Sequence, residues 1–137
     1  MAGFRRILAA VDFSPPTAEV IAAAGAFARA WQARLVLLHV LPLRETAIEA
    51  AQAQLDASVP SALADLVDER RVTRSLAAEL AIVEEARKTG ADLIVVGTSG
   101  RTGLSHIRLG SVASRVVEQA PVPVLAVRVP PATRPAA

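Results

Sequence analysis

Short apolar runs alternate with amphipathic stretches along most of this 137-residue chain. Four of the runs have the length and composition of buried strands: 7–11, 35–41, 93–96 and 122–129. A weaker strand is predicted at 71–76, where Arg74 interrupts the pattern in the manner of a charged edge strand. Strands that alternate with helical patterns predict an α/β fold with a parallel sheet.

The first predicted helix begins at Ser14, because a serine hydroxyl can accept bonds from free helix amides and the two following prolines are tolerated in a first turn. Helical spacing places one apolar stripe on the face expected to cover the sheet: Val20, Ala23, Ala24, Phe27 and Trp31. A second helical region spans 45–69, and Pro60 predicts a break near Val59.

The third helix is predicted at 78–89, with Gly90 as a left-handed cap and with an inward face of Ile82, Val83 and Ala86. The last helix is predicted at 111–119, where it stops ahead of Pro121. Its expected inner face consists of Val112, Val116 and Val117. Residues 1–129 are expected to form one domain, and residues 130–137 a flexible tail.

A glycine pattern follows the apolar run at 93–96. Gly97, Gly100 and Gly110 precede Ser111 with the spacing Gly-x2-Gly-x9-Gly-Ser. Glycines let backbone amides approach an anion closely, and the helix that starts at Ser111 offers further free amides. The pattern predicts a phosphate cradle, and therefore a nucleotide ligand. A turn without any ligand is the alternative interpretation of the same residues.

Composition excludes several classes of function. The chain contains no cysteine, which removes disulfides, thiolate metal sites and a cysteine nucleophile. A net charge of +2 without basic clusters does not fit a nucleic-acid binder. Apolar stretches are too short for a membrane span of about 18 residues, and Asp12 interrupts the first one too early for a signal peptide. We therefore expect a cytoplasmic protein.

The spacing of residues in this chain does not match the common enzyme motifs. The segment from Gly97 to Arg101 is not a Gly-x-Ser-x-Gly nucleophile elbow, and the only lysine, Lys88, precedes the loop instead of closing a Walker motif. His39 is expected to be a packed histidine at a strand end, and His106 a loop residue without a metal partner. No catalytic residue and no protein metal site are predicted.

Several segments together resemble the universal stress proteins, specifically the small single-domain members that bind ATP. The resemblance rests on residues 7–14 (ILAAVDFS), 37–40 (LLHV), 91–97 (ADLIVVG), the glycine pattern and 121–125 (PVPVL). It implies a Rossmann-like, adenine nucleotide alpha-hydrolase-like fold. The implied sheet has five parallel strands in the order 3-2-1-4-5, helices on both faces, and ATP over the carboxyl ends of strands one and four, where the winding direction reverses.

The resemblance also implies which residues contact the nucleotide. Ala10, Val11, Asp12 and Val40 would contact adenosine. The ribose and the phosphates would be held by Gly97, Ser99, Gly100, Gly110, Ser111 and Val112, with Mg²⁺ carried by the phosphates. Two residues keep a second interpretation: Asp12 as a cap of the first helix, and Ser111 as a plain N-cap. Arg101 is a further candidate for the terminal phosphate.

Under the implied order the last strand lies at a sheet edge, and such edges pair with another chain unless they are blocked. The resemblance and this sheet edge together imply a homodimeric ATP-binding module with a stress-response regulatory or signalling role and without enzymatic activity. Two alternatives stay open: a slow ATPase or nucleotide-transferring enzyme, and a scaffold that binds no nucleotide.

Overall fold

The computed structural model describes residues 3–98 and 109–128. Five strands are present in this part of the chain: β1 (Arg6–Val11), β2 (Arg34–Pro42), β3 (Val67–Ser75), β4 (Leu93–Gly97) and β5 (Val124–Val127). The helices alternate with them: α1 (Thr17–Trp31), α2 (Ile48–Ala57), a 3₁₀ helix (Ser61–Leu66), α3 (Ala78–Thr89) and α4 (Ser111–Gln119).

All strand pairs are parallel, and the sheet order is β3-β2-β1-β4-β5, which confirms the predicted architecture. β1 is the central strand, and its Leu8 pairs with Val36 of β2 on one side and with Ile94 of β4 on the other. The chain leaves β1 toward one edge of the sheet and returns to β4 to build the other edge. This reversal opens a crevice at the carboxyl ends of β1 and β4.

The alternation of side chains along the strands divides the core into two layers. Ile7 and Ala9 of β1 pack on the face covered by α1, α2 and the 3₁₀ helix. Leu8 packs on the opposite face, against buried residues of α3 and α4 such as Ile82 and Val116. Both faces of the sheet are therefore buried, which explains why the central strands are continuous apolar runs.

The first helix begins three residues later than predicted. Pro16 occupies the N-cap position of α1 without a side-chain cap, and the Ser14 carbonyl accepts a turn bond from the Thr17 amide at 2.9 Å. The Ser14 hydroxyl lies before the N-cap position and donates to Asp12.

The predicted inward stripe of α1 is partly wrong: the buried residues are Val20, Ile21, Ala24, Gly25 and Ala28. Trp31 is 41% exposed and packs edge-on against Phe4 near the amino end of β1. The buried face is rotated because the 3₁₀ helix covers a second side of α1. A methyl group at Gly25 would come within 2.8 Å of the Leu63 side chain.

The predicted break near Val59 is confirmed, since α2 ends at Ala57 and a 3₁₀ helix starts at Ser61. The prediction of helix up to residue 69 is wrong, because Val67 already opens β3, which pairs with β2 up to Ser75. This pairing overrides the helical composition of the segment. Leu76, expected within the strand, follows it and is 89% exposed.

The bounds of α3 and α4 match the prediction, and Gly90 adopts the expected left-handed conformation with φ of 71°. The predicted inner face of α4 is wrong in two of three residues. Val112 and Val117 are 39% and 48% exposed, whereas Ala113 and Val116 are buried. β5 is shorter than the predicted 122–129, and the predicted tail at 130–137 lies outside the described residues.

Candidate functional site

A pocket of about 800 Å³ lies at the carboxyl ends of β1, β2 and β4, between the amino ends of α1, α3 and α4. Eight of the ten predicted nucleotide contacts line it: Ala10, Val11, Asp12, Val40, Gly97, Gly110, Ser111 and Val112. The other two, Ser99 and Gly100, lie outside the described residues, as do Arg101 and His106. Parallel strands bring Asp12 and Gly97 to one cavity although they are far apart in the chain.

Asp12 shapes the turn that follows β1. Its Oδ1 accepts a bond from the Ser14 amide at 2.9 Å and a second bond from the Ser14 hydroxyl. Phe13 between them has a φ of 63°, a conformation that is unusual for a bulky residue. The alternative interpretation of Asp12 as a cap of the first helix is wrong, because these bonds tie the turn and no side chain of the described residues caps α1. Asp12 also lines the pocket.

His39 is a structural support of the same turn. The ring is buried, and its Nδ1 lies 2.8 Å from the carbonyl oxygen of Val11, so the nitrogen donates a proton to that oxygen. The ring also stacks on Phe13 with 4.0 Å between centroids. These contacts confirm that His39 is a packed strand-end histidine, and they fix the carboxyl end of β1 against β2.

The end of the pocket near β4 is rich in backbone donors. Gly110 precedes α4 in an extended conformation, and within the described residues no side chain caps this helix. The Gly110 amide donates to the Thr98 carbonyl, and the Ser114 amide bonds back to Gly110 at 2.9 Å. Among the described residues the earliest amides of α4, beginning at Ser111, have no hydrogen-bond partner, and they carry the positive end of the helix dipole.

The opposite end of the pocket, near β2, is mostly apolar. Leu41 and Pro42 continue from Val40 along the strand, and Ala78 and Ile82 of α3 complete the wall. The pocket therefore has an apolar end and an end lined by amides.

Some lining residues were not predicted: Thr98, Arg44, Glu45, Ala78 and Ile82. No motif marks them in the sequence. Thr98 and Arg44 follow strands whose carboxyl ends were predicted. That position was the only feature of the sequence that could have placed them at the pocket.

Charged side chains are few around the described pocket, which has Asp12, Glu45 and Arg44. Within residues 3–98 and 109–128 no three acidic or histidine side chains are grouped so that they could hold a metal ion. Within the same residues no helix has the length and apolar character needed to cross a bilayer. The arrangement suits the binding of a partly apolar, partly anionic ligand.

Comparisons with known proteins agree with this fold. The model of the universal stress protein family matches residues 3–128. Universal stress protein A homolog 1 of Coxiella burnetii is 33% identical over 139 residues, covering 90% of this chain and 96% of that protein. A universal stress protein of Methanocaldococcus jannaschii is 61% identical over a shorter stretch of 49 residues, which is 36% of this chain and 29% of that protein.

A solved structure extends the comparison to the fold. The crystal structure of a universal stress protein in complex with cAMP superimposes with a TM-score of 0.72 at 28% identity. The superposition covers 93% of this chain and 98% of that chain. With the family model matched over nearly the whole length, the chain belongs to the universal stress protein family.

Proposed function

We propose that this protein binds an adenine nucleotide, ATP with Mg²⁺ on its phosphates, and acts as a cytoplasmic regulatory homodimer in the stress response without catalysing a reaction. One observation carries the proposal: a single cavity of about 800 Å³ joins the free amides of α4 to an apolar wall at the end of β2. These are the two environments that a nucleotide requires.

The phosphates are assigned to the α4 end. Helix amino ends bind anions because several amides point at the ligand and the dipole adds a positive potential. Gly110 and Ser111 lie at this end, and the Ser111 hydroxyl supplies one more donor. In the described part of the pocket the phosphates would carry their own Mg²⁺, because no acidic cluster is there to hold it.

The base is assigned to the β2 end, where Val40 and Leu41 of the strand face Ile82 of α3. A flat, weakly polar ring gains from leaving water against such a wall. The relative that was solved in complex with cAMP supports an adenine ring, since cAMP contains adenine and that protein shares the fold at 28% identity.

Binding without turnover is proposed because the two residues best placed to act as a base have structural roles in the turn after β1. Asp12 uses Oδ1 for two bonds from Ser14, and His39 uses Nδ1 for the Val11 carbonyl. Each side chain keeps a second acceptor, Oδ2 of Asp12 and Nε2 of His39, so the measurement of phosphate release decides between binding and hydrolysis.

The homodimer is assigned to the free edge of β5. This strand, Val124–Val127, is entirely apolar and only half-buried, whereas the opposite edge strand β3 carries a series of charged residues. Unblocked apolar edges pair with a further strand, and charged edges resist pairing. Exposed Val117 of α4 adds apolar surface from the helix that precedes β5.

Isothermal titration calorimetry with ATP and Mg²⁺ tests the nucleotide assignment. Ser111→Asp places a carboxylate at the phosphate end, and we expect roughly 100-fold weaker ATP binding, because like charges in contact cost several kcal/mol. Ser114→Asp is the matched control, since it adds the same charge to the same helix outside the pocket lining.

The expected result is ATP binding by the wild type and by Ser114→Asp, and strong loss in Ser111→Asp alone. No heat of binding with wild-type protein, together with no nucleotide released from the purified protein on denaturation, would overturn the proposal. Phosphate release at a steady rate would replace it with the ATPase alternative.

A further inference from the structure

The turn after β2 holds a cation at the apolar end of the pocket. The Glu45 amide donates to the Pro42 carbonyl at 3.0 Å, which closes a tight turn with Leu43 and Arg44 at its centre. Arg74 at the end of β3 supports this turn, because its Nη1 donates to the Glu45 carbonyl at 3.4 Å. The backbone of Arg44 is therefore held at a defined place beside the pocket.

Arg44 is the only lysine or arginine among the described residues that line this pocket. Its guanidinium makes no hydrogen bond or ion pair with the residues of 3–98 and 109–128, whereas nearby Arg70 and Arg71 pair with acidic side chains. A pocket-lining arginine without a partner among the described residues can offer its planar face and its donors to a ligand.

The phosphate end of the pocket is distant from this arginine. Arg44 follows β2 and Gly110 lies at the end of β4, with β1 between the two strands. Two interstrand spacings separate these strand ends by about 10 Å. A ligand whose phosphates lie on α4 therefore presents its other end to Arg44.

The described pocket has two aromatic rings, and they contact each other. Phe13 and His39 are the aromatic rings in the described lining, and they already stack on each other with 4.0 Å between centroids. Aliphatic side chains of β2 and α3 cover one face of the base site. A guanidinium plane is weakly hydrated and stacks on flat rings, so it suits the remaining face.

We propose that Arg44 is a ligand-binding residue that stacks on the nucleotide base and covers it from solvent. This inference rests on the proposed function and adds to it the group that holds the base end. Stacking on a flat side chain strengthens binding of a base largely without regard to its hydrogen-bonding edge. Arg44 would thus supply affinity for the nucleoside half of the ligand and none for the phosphates.

The test compares three probes by calorimetry: ATP, adenosine and inorganic tripolyphosphate. Arg44→Ala should weaken ATP and adenosine by the same factor, about tenfold, and leave tripolyphosphate unchanged. Arg44→Trp should restore both, since an indole provides a flat platform without a charge. Arg44→Lys should not restore them, because an ammonium group has no plane to stack.

Arg87→Ala is the matched control, because it removes an exposed arginine that lines a separate cleft beside α3. Equal effects of Arg44→Ala and Arg87→Ala would overturn the inference. Loss of ATP and tripolyphosphate binding with adenosine unchanged would also overturn it, and would make Arg44 a phosphate contact. Wild-type protein that binds none of the probes would refute the proposed function itself, a result distinct from either of these.

Discussion

The backbone amide of Thr98 donates a hydrogen bond to the carbonyl oxygen of Val127 at 3.0 Å. At the other end of the strand the Ile94 amide bonds to the Pro123 carbonyl at 3.0 Å. Because backbone groups alternate in direction along a strand, residues 123, 125 and 127 direct their groups toward β4. The groups of Val124 and Ala126 consequently point to the free edge.

Ala126→Pro should abolish homodimerisation and preserve the fold. Proline removes the outward amide of residue 126, which an incoming strand needs, and takes no bond from the pairing with β4. We expect a monomer by light scattering at micromolar concentration, with an unchanged circular dichroism spectrum. Leu125→Pro is the control, because it removes an inward amide and should destabilise the whole sheet.

A dimer that persists in Ala126→Pro at the same concentration would show that the copies associate elsewhere. A monomeric wild type would remove the dimer from the proposal and leave nucleotide binding unaffected.

An ion pair joins Arg71 of β3 to Glu85 of α3, and replacing Arg71 should cost more stability than replacing Glu85. Glu85 is buried, and its carboxylate accepts a bond from the Arg71 Nε at 2.6 Å. Arg71→Met leaves that carboxylate with Lys88, at 3.6 Å, as its remaining cationic partner among the described residues, and we expect a loss of about 2 kcal/mol. Glu85→Met leaves an arginine that is still paired with Glu69 at 2.7 Å, so the loss should stay below about 1 kcal/mol.

Urea unfolding of the two variants measures this difference, and equal losses would contradict it. Hydrogen bonds to Glu85 and then to Glu69 raise the pKa of Arg71 above the ordinary arginine value. The stabilisation that accompanies a raised pKa is present in full at pH values below the ordinary arginine pKa. It is lost only when the pH rises through the raised pKa. The cost of Arg71→Met should therefore be constant from about pH 6 to 9.

The contribution of Asp65 to the stability of the fold should be lost at acidic pH. Two bonds from the Arg29 guanidinium, at 2.9 and 3.0 Å, lower the pKa of the Asp65 carboxyl and tie α1 to the 3₁₀ helix. Stability from a lowered pKa is present above the unfolded value of about 3.9 and fades as pH falls through the folded one. The Tm difference between wild type and Asp65→Asn should be constant near neutrality and shrink as pH falls below about 3.9 and through the lowered pKa.

Arg29→Gln serves as the reciprocal variant and should remove the same pH-dependent difference. A Tm difference that survives in acid would mean that Asp65 acts through packing or through its neutral form.

Gly90→Ala should cost about 1 kcal/mol, because the position requires the left-handed conformation that other residues disfavour. Apart from its chain neighbours, no described residue has an atom within 4 Å of a methyl group added there, so the cost comes from the backbone. Gly90→Asn is the comparison, since asparagine tolerates this conformation better and should cost less. Chemical denaturation decides between them, and an equal cost would point to a contact instead of backbone strain.

The fold was most predictable where a glycine or proline marks the end of a helix. Gly90 and Pro121 bound helices whose limits the sequence analysis placed correctly. The start of β3 was missed because residues 67–70 combine one valine with three charged residues, a composition without strand periodicity. This segment forms a strand because it pairs with β2, and no local sequence pattern predicts that pairing.

The candidate site was predictable where a motif marked it. Asp12 and Gly97 follow recognisable strands, and the parallel order then brings both to one crevice. Val112 was placed in the core because hydrophobic spacing identifies apolar residues but not the partner that covers them. Arg44 was missed, since its importance depends on a turn and on the absence of a salt-bridge partner in the described residues.

The two borders of the sheet have opposite character, and this limits the size of any assembly. A sheet whose two edge strands could both pair with another copy could add copies indefinitely and grow into fibres. Here one border is apolar, whereas the other is occupied by ion pairs that join Asp68 to Arg6 and Arg34, and Arg71 to Glu69. Growth would stop after one pairing event, which leaves discrete particles even in concentrated solution.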